Sequence, residues 1–201
     1  MKQILLATHN TGKLREFSAL LAQADVTLIA QDQLGIAPID EPYATFVENA
    51  LAKARHAAKQ SGLPTLADDS GLCVHALNGA PGVRSARFAQ NQQGDECSDA
   101  ANNTLLLERM AVHTDRRAHY TCTLVLVRHA DDPEPLVTTG RWHGEIATTP
   151  RGEKGFGYDP VFYLPDVRLT VAELCPAVKS GRSHRAQALT QLLAQLANEY
   201  W

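Results

Sequence analysis

The sequence predicts an α/β fold, and two observations carry that reading. Short uninterrupted apolar runs such as Ile4-Leu5-Leu6-Ala7 read as strands buried on both faces, and segments with apolar residues at helical spacing follow them. From Ala118 onward the pattern changes to β-branched and aromatic stretches separated by turns, the mark of a strand meander. With 201 residues, 44% of them hydrophobic, the chain can bury a sizeable core.

Ile4 to Ala7 gives the first strand, and Thr8-His9-Asn10-Thr11-Gly12-Lys13 follows at once. Leu14, Phe17, Leu20 and Leu21 then recur at helical spacing. Strand, polar glycine-containing loop and helix in this order aim backbone N–H groups and a helix N-terminus at an anion. A Walker loop is excluded, because Ala7 stands where its first glycine belongs and Leu14 where its Ser or Thr belongs. The spacing alone leaves open whether Lys13 meets a phosphate or solvent.

Val26 to Ala30 reads as a second strand, and Gln31 to Tyr43 as a loop carrying Asp40 and Glu41. Thr45-Phe46-Val47-Glu48 is a capping box that opens a helix running to about Gln60, before Gly62 and Pro64. Ala50, Leu51, Ala54 and Ala58 form its buried stripe. Asn49, Lys53 and His56 share another face, which by itself reads as a solvated polar face.

Thr65 to Ala67 is a further strand, which delivers Asp68, Asp69, Ser70 and Gly71 at its end. Open α/β sheets bind ligands at such carboxyl ends. Two adjacent carboxylates in extended chain face opposite ways, so one can enter a site while the other supports it. Ser98 to about Met110 reads as a helix with Leu105, Leu106 and Met110 inward. Ala118 to His129 and Leu136 to Trp142 read as antiparallel strands joined through Asp131-Asp132-Pro133, and His143 to Ile146 continues them.

Gly152 to Pro160 is a glycine-rich loop with Phe156, Tyr158 and Asp159. Its aromatics suit a platform for a planar ligand or a plug in the core. Thr170 to Glu173 is another capping box, and Lys179 falls in the loop after it. Ser183 caps a last helix with Ala186, Leu189, Leu193 and Leu196 inward. His184 and Arg185 occupy its first turn, where cations oppose the helix dipole.

Composition narrows the function classes. A formal charge of −3 gives no field that would draw the chain onto nucleic acid. The four cysteines are widely spaced with no Cys-x-x-Cys pair, which argues against zinc and against a disulfide framework. No apolar run is long enough to span a bilayer, and the apolar stretch at the start is too short for a secretory signal. The expectation is a cytoplasmic protein acting neither on nucleic acid nor at a membrane.

In order, the chain reads Thr-x-Asn-x-Gly-Lys, Thr-Phe-x-Glu-Asn-Ala, Ala-Asp-Asp-Ser-Gly-Leu, Gly-Phe-Gly-Tyr-Asp-Pro and Ser-His-Arg-x-x-Ala-Leu. This set resembles the inosine triphosphate pyrophosphatase family, nearest to its bacterial dITP/XTP branch, from Ile4 to about Leu192. The resemblance implies a single domain over residues 1–201. It further implies an elongated two-lobed fold with a central mixed sheet flanked by helices, a ligand cleft between the lobes, and a homodimer. The implied reaction is Mg2+-dependent hydrolysis of ITP, dITP and XTP to nucleoside monophosphate and pyrophosphate.

Carried over by motif, Thr8, His9, Asn10, Thr11, Gly12 and Lys13 hold the triphosphate, and Ser70 contacts the nucleotide. Asp69 is the implied general base and a magnesium ligand. Glu41 is the implied second ligand, with Asp40 and Glu48 as alternatives. Lys53 adds positive charge for the phosphates. Phe156, Gly157, Tyr158, Asp159, Lys179, His184 and Arg185 surround the purine. The chain departs from many relatives at Tyr43, where they carry glycine. A house-cleaning pyrophosphatase for canonical or methylated nucleotides is the nearest alternative reading. A binding module without catalysis is disfavoured, because paired carboxylates would repel a triphosphate.

Overall fold

The computed structural model describes residues 2–21, 26–90 and 98–196. Strands β1 (Lys2–Ala7), β2 (Val26–Ala30) and β3 (Thr65–Val74) alternate with helices α1 (Thr11–Leu21) and α2 (Phe46–Ser61). Helix α3 (Asp99–Met110), β4 (Arg117–Val127) and β5 (Leu136–Ile146) follow. The short strands β6 (Phe162–Leu164) and β7 (Leu169–Thr170) and helices α4 (Pro176–Arg182) and α5 (His184–Leu196) complete the order. All seven strands join one mixed sheet in the order β2-β1-β3-β4-β5-β6-β7.

β1 pairs in parallel with β2 on one side and with β3 on the other. The chain therefore reverses its direction of strand addition at β1, which makes its carboxyl end a topological switch point. The β1–β3 pairing ends at Ala7 opposite Ala67, so Asp68 is the first residue beyond it. The sequence reading ends this strand at Ala67, but β3 continues to Val74. Leu72 and Val74 keep alternating into a core, so nothing terminates the strand at the carboxylates. β4 and β5 form a hairpin in which Thr123 meets Thr139 and Arg116 meets Ile146, a falling register that is antiparallel. β5 pairs antiparallel with β6, and β6 with β7.

The contacts divide the chain into two compact units, and β3, β4 and β5 each contribute residues to both. The first draws on residues 1–69, 122–140 and 184–201. Its part of the sheet is covered on both faces. Ile4, Leu6, Leu66, Leu124 and Leu126 pack against Phe17 of α1 and Leu189 and Leu192 of α5. Leu5, Ala7, Ala67, Val125 and Val127 pack against Ala50, Ala54 and Ala57 of α2. Double coverage explains why these strands read as continuous apolar runs. α2 has the expected cap: Thr45 Oγ1 accepts from Glu48 N, and Gly62 closes the helix at φ 69°.

The second unit draws on residues 70–121 and 141–183 and has a core of its own. Leu72, Val74, Ala118, Tyr120, Trp142 and Phe162 face Leu106 and Met110 of α3. Residues of the opposite phase, such as Arg117, Arg141 and His143, are exposed, the alternation of a half-solvated antiparallel sheet. Thr170–Glu173 is a capping box on a single 3-10 turn, and Lys179, expected in a loop, lies on α4. Pro176 at the start of α4 favours this helix because a missing N–H costs nothing there.

Among the described residues no helix is long and apolar enough to cross a membrane. Gly140 on β5 lies directly against α5, where an added Cβ would stand 2.6 Å from Ala188 N. Gly140→Ala should therefore lower stability by about 1–3 kcal/mol through overpacking. Gly181→Ala on α4, where a Cβ meets nothing within 4 Å, should be neutral or stabilising by up to about 1 kcal/mol. Denaturant unfolding of the two variants checks this contrast.

Candidate active site

In the first unit, two charge clusters form around Asp68 and Asp69. β1 ends at Ala7, and Thr8 Oγ1 accepts from Asn10 N at 3.2 Å. Asn10 Oδ1 in turn accepts from Lys13 N at 3.0 Å and so caps α1. Thr11, Gly12 and Lys13 thus form a first helical turn whose N–H groups carry the positive end of the dipole. Lys13 is not in solvent: its Nζ lies 2.8 Å from Asp68 Oδ2. His9 Nδ1 pairs with Asp32.

Asp68 and Asp69 are 1% and 4% exposed, so each needs a partner. Burial would raise the Asp68 pKa, but Lys13, Lys53 and Arg185 outweigh it and hold the carboxyl well below the usual range. Arg185, buried at the start of α5, donates from Nη1 to Glu16 Oε2 at 2.8 Å. Asp69 accepts from Asn49 Nδ2 at 3.2 Å and lies 3.7 Å from Lys53 Nζ. Lys53 also bonds Glu41 Oε1 at 2.6 Å. Burial pushes the Asp69 pKa up to about 6, Glu41 and Asp68 push in the same direction, and Lys53 and Lys13 only partly oppose them.

These neighbours therefore split into an anion that stays ionised and a carboxyl whose proton exchanges near neutral pH. Lys53 stays charged, because Asp68, Asp69 and Glu41 outweigh its burial. Lys13, Lys53 and Arg185 face the carboxylates of Glu16, Glu41, Asp68 and Asp69. Glu41 and Asp69 both converge on the single ammonium of Lys53. They are hard oxygen donors, and a magnesium ion held by one or two carboxylates plus water and phosphate oxygens suits that donor set. Among the described residues no three His, Cys, Asp or Glu side chains stand together as a ready metal cage. Asp40 is exposed, and Glu48 is committed to the Thr45 cap.

The second unit carries a separate cluster on the 152–160 loop. Asp159, 3% exposed, accepts from Phe156 N at 3.0 Å and from Lys179 Nζ at 2.6 Å, with Tyr120 Oη at 3.3 Å. Lys179 Nζ also stands 4.5 Å from the centroid of Phe156, a cation–π distance. Gly155 takes φ +86°, and a Cβ there would collide with the Asp159 carboxylate. The two aromatics divide the alternatives the sequence left open. Tyr158 is in the core with its hydroxyl on Ser85 O at 2.8 Å, whereas Phe156 is 36% exposed. Gly157 follows at φ +63°, and Ser70 is half-buried on β3.

The structure thus joins Lys13 to Asp68, Lys53 and Glu41 to Asp69, and Phe156 and Asp159 to Lys179. His184 and Arg185 belong to the first unit, where Arg185 pairs with Glu16. Glu16 and Tyr120 are contributors the sequence did not single out, and Asn49, read there as part of a solvated polar face, is buried against Asp69. Asn49 was visible as the residue one turn before Lys53, and its carboxamide also bonds Tyr43 N and O. Glu16 had no local signal, being 169 residues from Arg185.

The raised Asp69 pKa gives a stability prediction. A carboxyl raised in the folded state adds stability at low pH that is lost as pH rises from the ordinary 3.8 through about 6. The gap corresponds to about 3 kcal/mol. In chelator-treated protein, Asp69→Asn should raise the unfolding midpoint at pH 8, with the gain shrinking toward pH 4. Equal midpoints for the two proteins at pH 8 would contradict the electrostatics described.

Comparison with known proteins bears on the family and the fold. The model of the Ham1 family matches residues 4–195. The dITP/XTP pyrophosphatase of Burkholderia pseudomallei is 60% identical over 194 residues, 96% of this chain and 93% of that protein. A solved HAM1 protein from Coxiella burnetii superposes with TM-score 0.91 at 48% identity, covering 99% of this chain and all (100%) of the other. A Mycobacterium abscessus structure described as a nucleoside-triphosphatase or dITP/XTP pyrophosphatase gives TM-score 0.76 at 41% identity, over 95% and 98% of the two chains. The chain belongs to the Ham1 family.

Proposed function

We propose that the protein hydrolyses non-canonical purine nucleoside triphosphates, dITP, ITP and XTP, to nucleoside monophosphate and pyrophosphate. The observation that carries the reading is the split pair: Asp68 held ionised by Lys13, beside Asp69 with a pKa of about 6 facing Lys53 and Glu41. The relatives named dITP/XTP pyrophosphatase support the substrate class.

The first unit takes the triphosphate. The first turn of α1 offers N–H donors, and Lys13 and Lys53 offer charge that grows in value as negative charge builds on the phosphate oxygens. Glu41 and Asp69 would hold Mg2+, which when bound neutralises phosphate charge and makes water more acidic. Asp69 accepts the proton of the attacking water, and Mg2+ at its carboxylate would keep it ionised for that task. Asn49 fixes its orientation through the 3.2 Å hydrogen bond. The bond formed is water oxygen to α-phosphorus, and the bond broken is α-phosphorus to the bridging oxygen, which leaves with pyrophosphate. Asp68 keeps Lys13 and Arg185 in place.

In the same reading the 152–160 loop recognises the base. The exposed face of Phe156 suits stacking, and Lys179 donates toward a purine carbonyl oxygen. Hypoxanthine and xanthine carry such an oxygen at C6, where adenine carries an amino group. A donor-only group rejects the amino group strongly. The cytoplasmic location and the homodimer implied by the motifs are part of the same proposal.

Incubation with dITP and Mg2+ should yield dIMP and pyrophosphate, and orthophosphate with dIDP would overturn the assigned bond. Asp69→Asn should lower turnover by at least about 10²-fold, the range expected for a general base. Lys13→Ala should weaken triphosphate use by about tenfold or more, the worth of a charge-assisted hydrogen bond. Steady-state rates with pyrophosphate detection check all three.

A further inference from the structure

Gly157 stands at φ +63° between Phe156 and Asp159. Helix α3 grips it on both sides. Its N–H donates to Asp99 Oδ2 at 2.6 Å, and its carbonyl accepts from Asn103 Nδ2 at 3.0 Å. The N–H belongs to the 156–157 peptide and the carbonyl to the 157–158 peptide. The two contacts therefore fix both peptide planes around a residue with no Cβ to restrict it. Asp99 and Asn103 are one turn apart and share a helix face.

The clamp stands on a rigid base. Ser98 caps α3 through Ala101 N at 3.1 Å. Asn102 accepts from Ala89 N at 2.8 Å and donates to Ala86 O at 3.2 Å. Leu106 and Met110 anchor the helix in the core. Asn103 is 8% exposed, and its Oδ1 is buried with no hydrogen-bond partner among the described residues. An apolar side chain would fill that space without leaving an acceptor unsatisfied. Packing alone does not account for a carboxamide there; the donor to Gly157 does. A cavity of about 240 Å³ lies beside the clamp, walled by Asp99, Asn103, Phe156 and Gly157.

We propose that Asn103 and Asp99 are positioning residues for base recognition: by clamping Gly157 they hold the Phe156 ring and the Asp159 carboxylate in the geometry that receives the purine. The inference rests on the nucleotide reading above and adds residues outside the five motifs. Without the clamp, Gly157 can rotate both peptides, and the Phe156 carbonyl that accepts from Asp159 N at 3.3 Å moves with the first of them.

The test uses Asn103→Asp, which keeps the shape but removes the donor and sets a carboxylate oxygen against the Gly157 carbonyl. Steady-state kinetics with dITP and dATP should show KM for dITP raised about tenfold, kcat within about threefold of wild type, and the preference for dITP over dATP reduced by about tenfold. Thr104→Ala, on an exposed α3 residue whose hydroxyl bonds back to Ala100 O, should leave KM and preference unchanged. Should Asn103→Asp lose cooperative unfolding, the exposed Asp99→Ala carries the test, with KM raised about threefold. KM and preference both unchanged in a folded variant would overturn the clamp and leave the hydrolase reading standing. A change confined to kcat would also overturn it. Failure of the wild-type protein to release pyrophosphate from dITP would overturn the nucleotide reading itself.

Discussion

Two adjacent carboxylates are buried in the middle of a strand, and much of the first unit is arranged to tolerate them. Side chains at consecutive strand positions leave in opposite directions, so Asp68 and Asp69 cannot share one cation at short range. Lys13 of α1 reaches Asp68, Lys53 of α2 reaches Asp69, and Arg185 of α5 adds a third positive charge. Each helix that covers the first unit's part of the sheet thus places one cation near these carboxylates. Breaking such a pair strands a charge in low dielectric, which costs far more than a surface ion pair returns.

The compensation is unequal, and the inequality is chemically useful. Asp68 is over-supplied with cations. Asp69 has Glu41 beside it and keeps a pKa near 6. Evening out the two sites would stabilise the chain and remove the proton acceptor. A strained balance of this kind is the expected signature of a site that trades stability for function.

The base-side cluster follows the same logic on a smaller scale. Asp159 is buried on a loop and acts as the acceptor for a backbone N–H, an ammonium and a phenol. Gly155 has to be glycine because the carboxylate occupies the space of its side chain. Satisfying one buried anion therefore shapes the loop, places Phe156 against Lys179, and turns Tyr158 into the core. The helix contacts at Gly157 complete that restraint.

The sequence by itself determined the strand–loop–helix start, the Thr45 cap, the α3 and α5 stripes and the ordered motifs, because these are local: periodicity, capping and turn chemistry act within a few residues. It also marked Asp69, Lys13, Lys53, Phe156 and Asp159 as chemistry-bearing. It placed the carboxylates at a strand end, since an Asp-Asp pair interrupts hydrophobic alternation, whereas β3 runs on because Leu72 and Val74 still face a core. Only tertiary structure could decide that Lys13 neutralises Asp68 rather than meeting solvent, that Asn49 is a buried partner of Asp69, or that Glu16 meets Arg185. Those are pairings between distant segments, and their free energy comes from burial, which no local window of sequence contains.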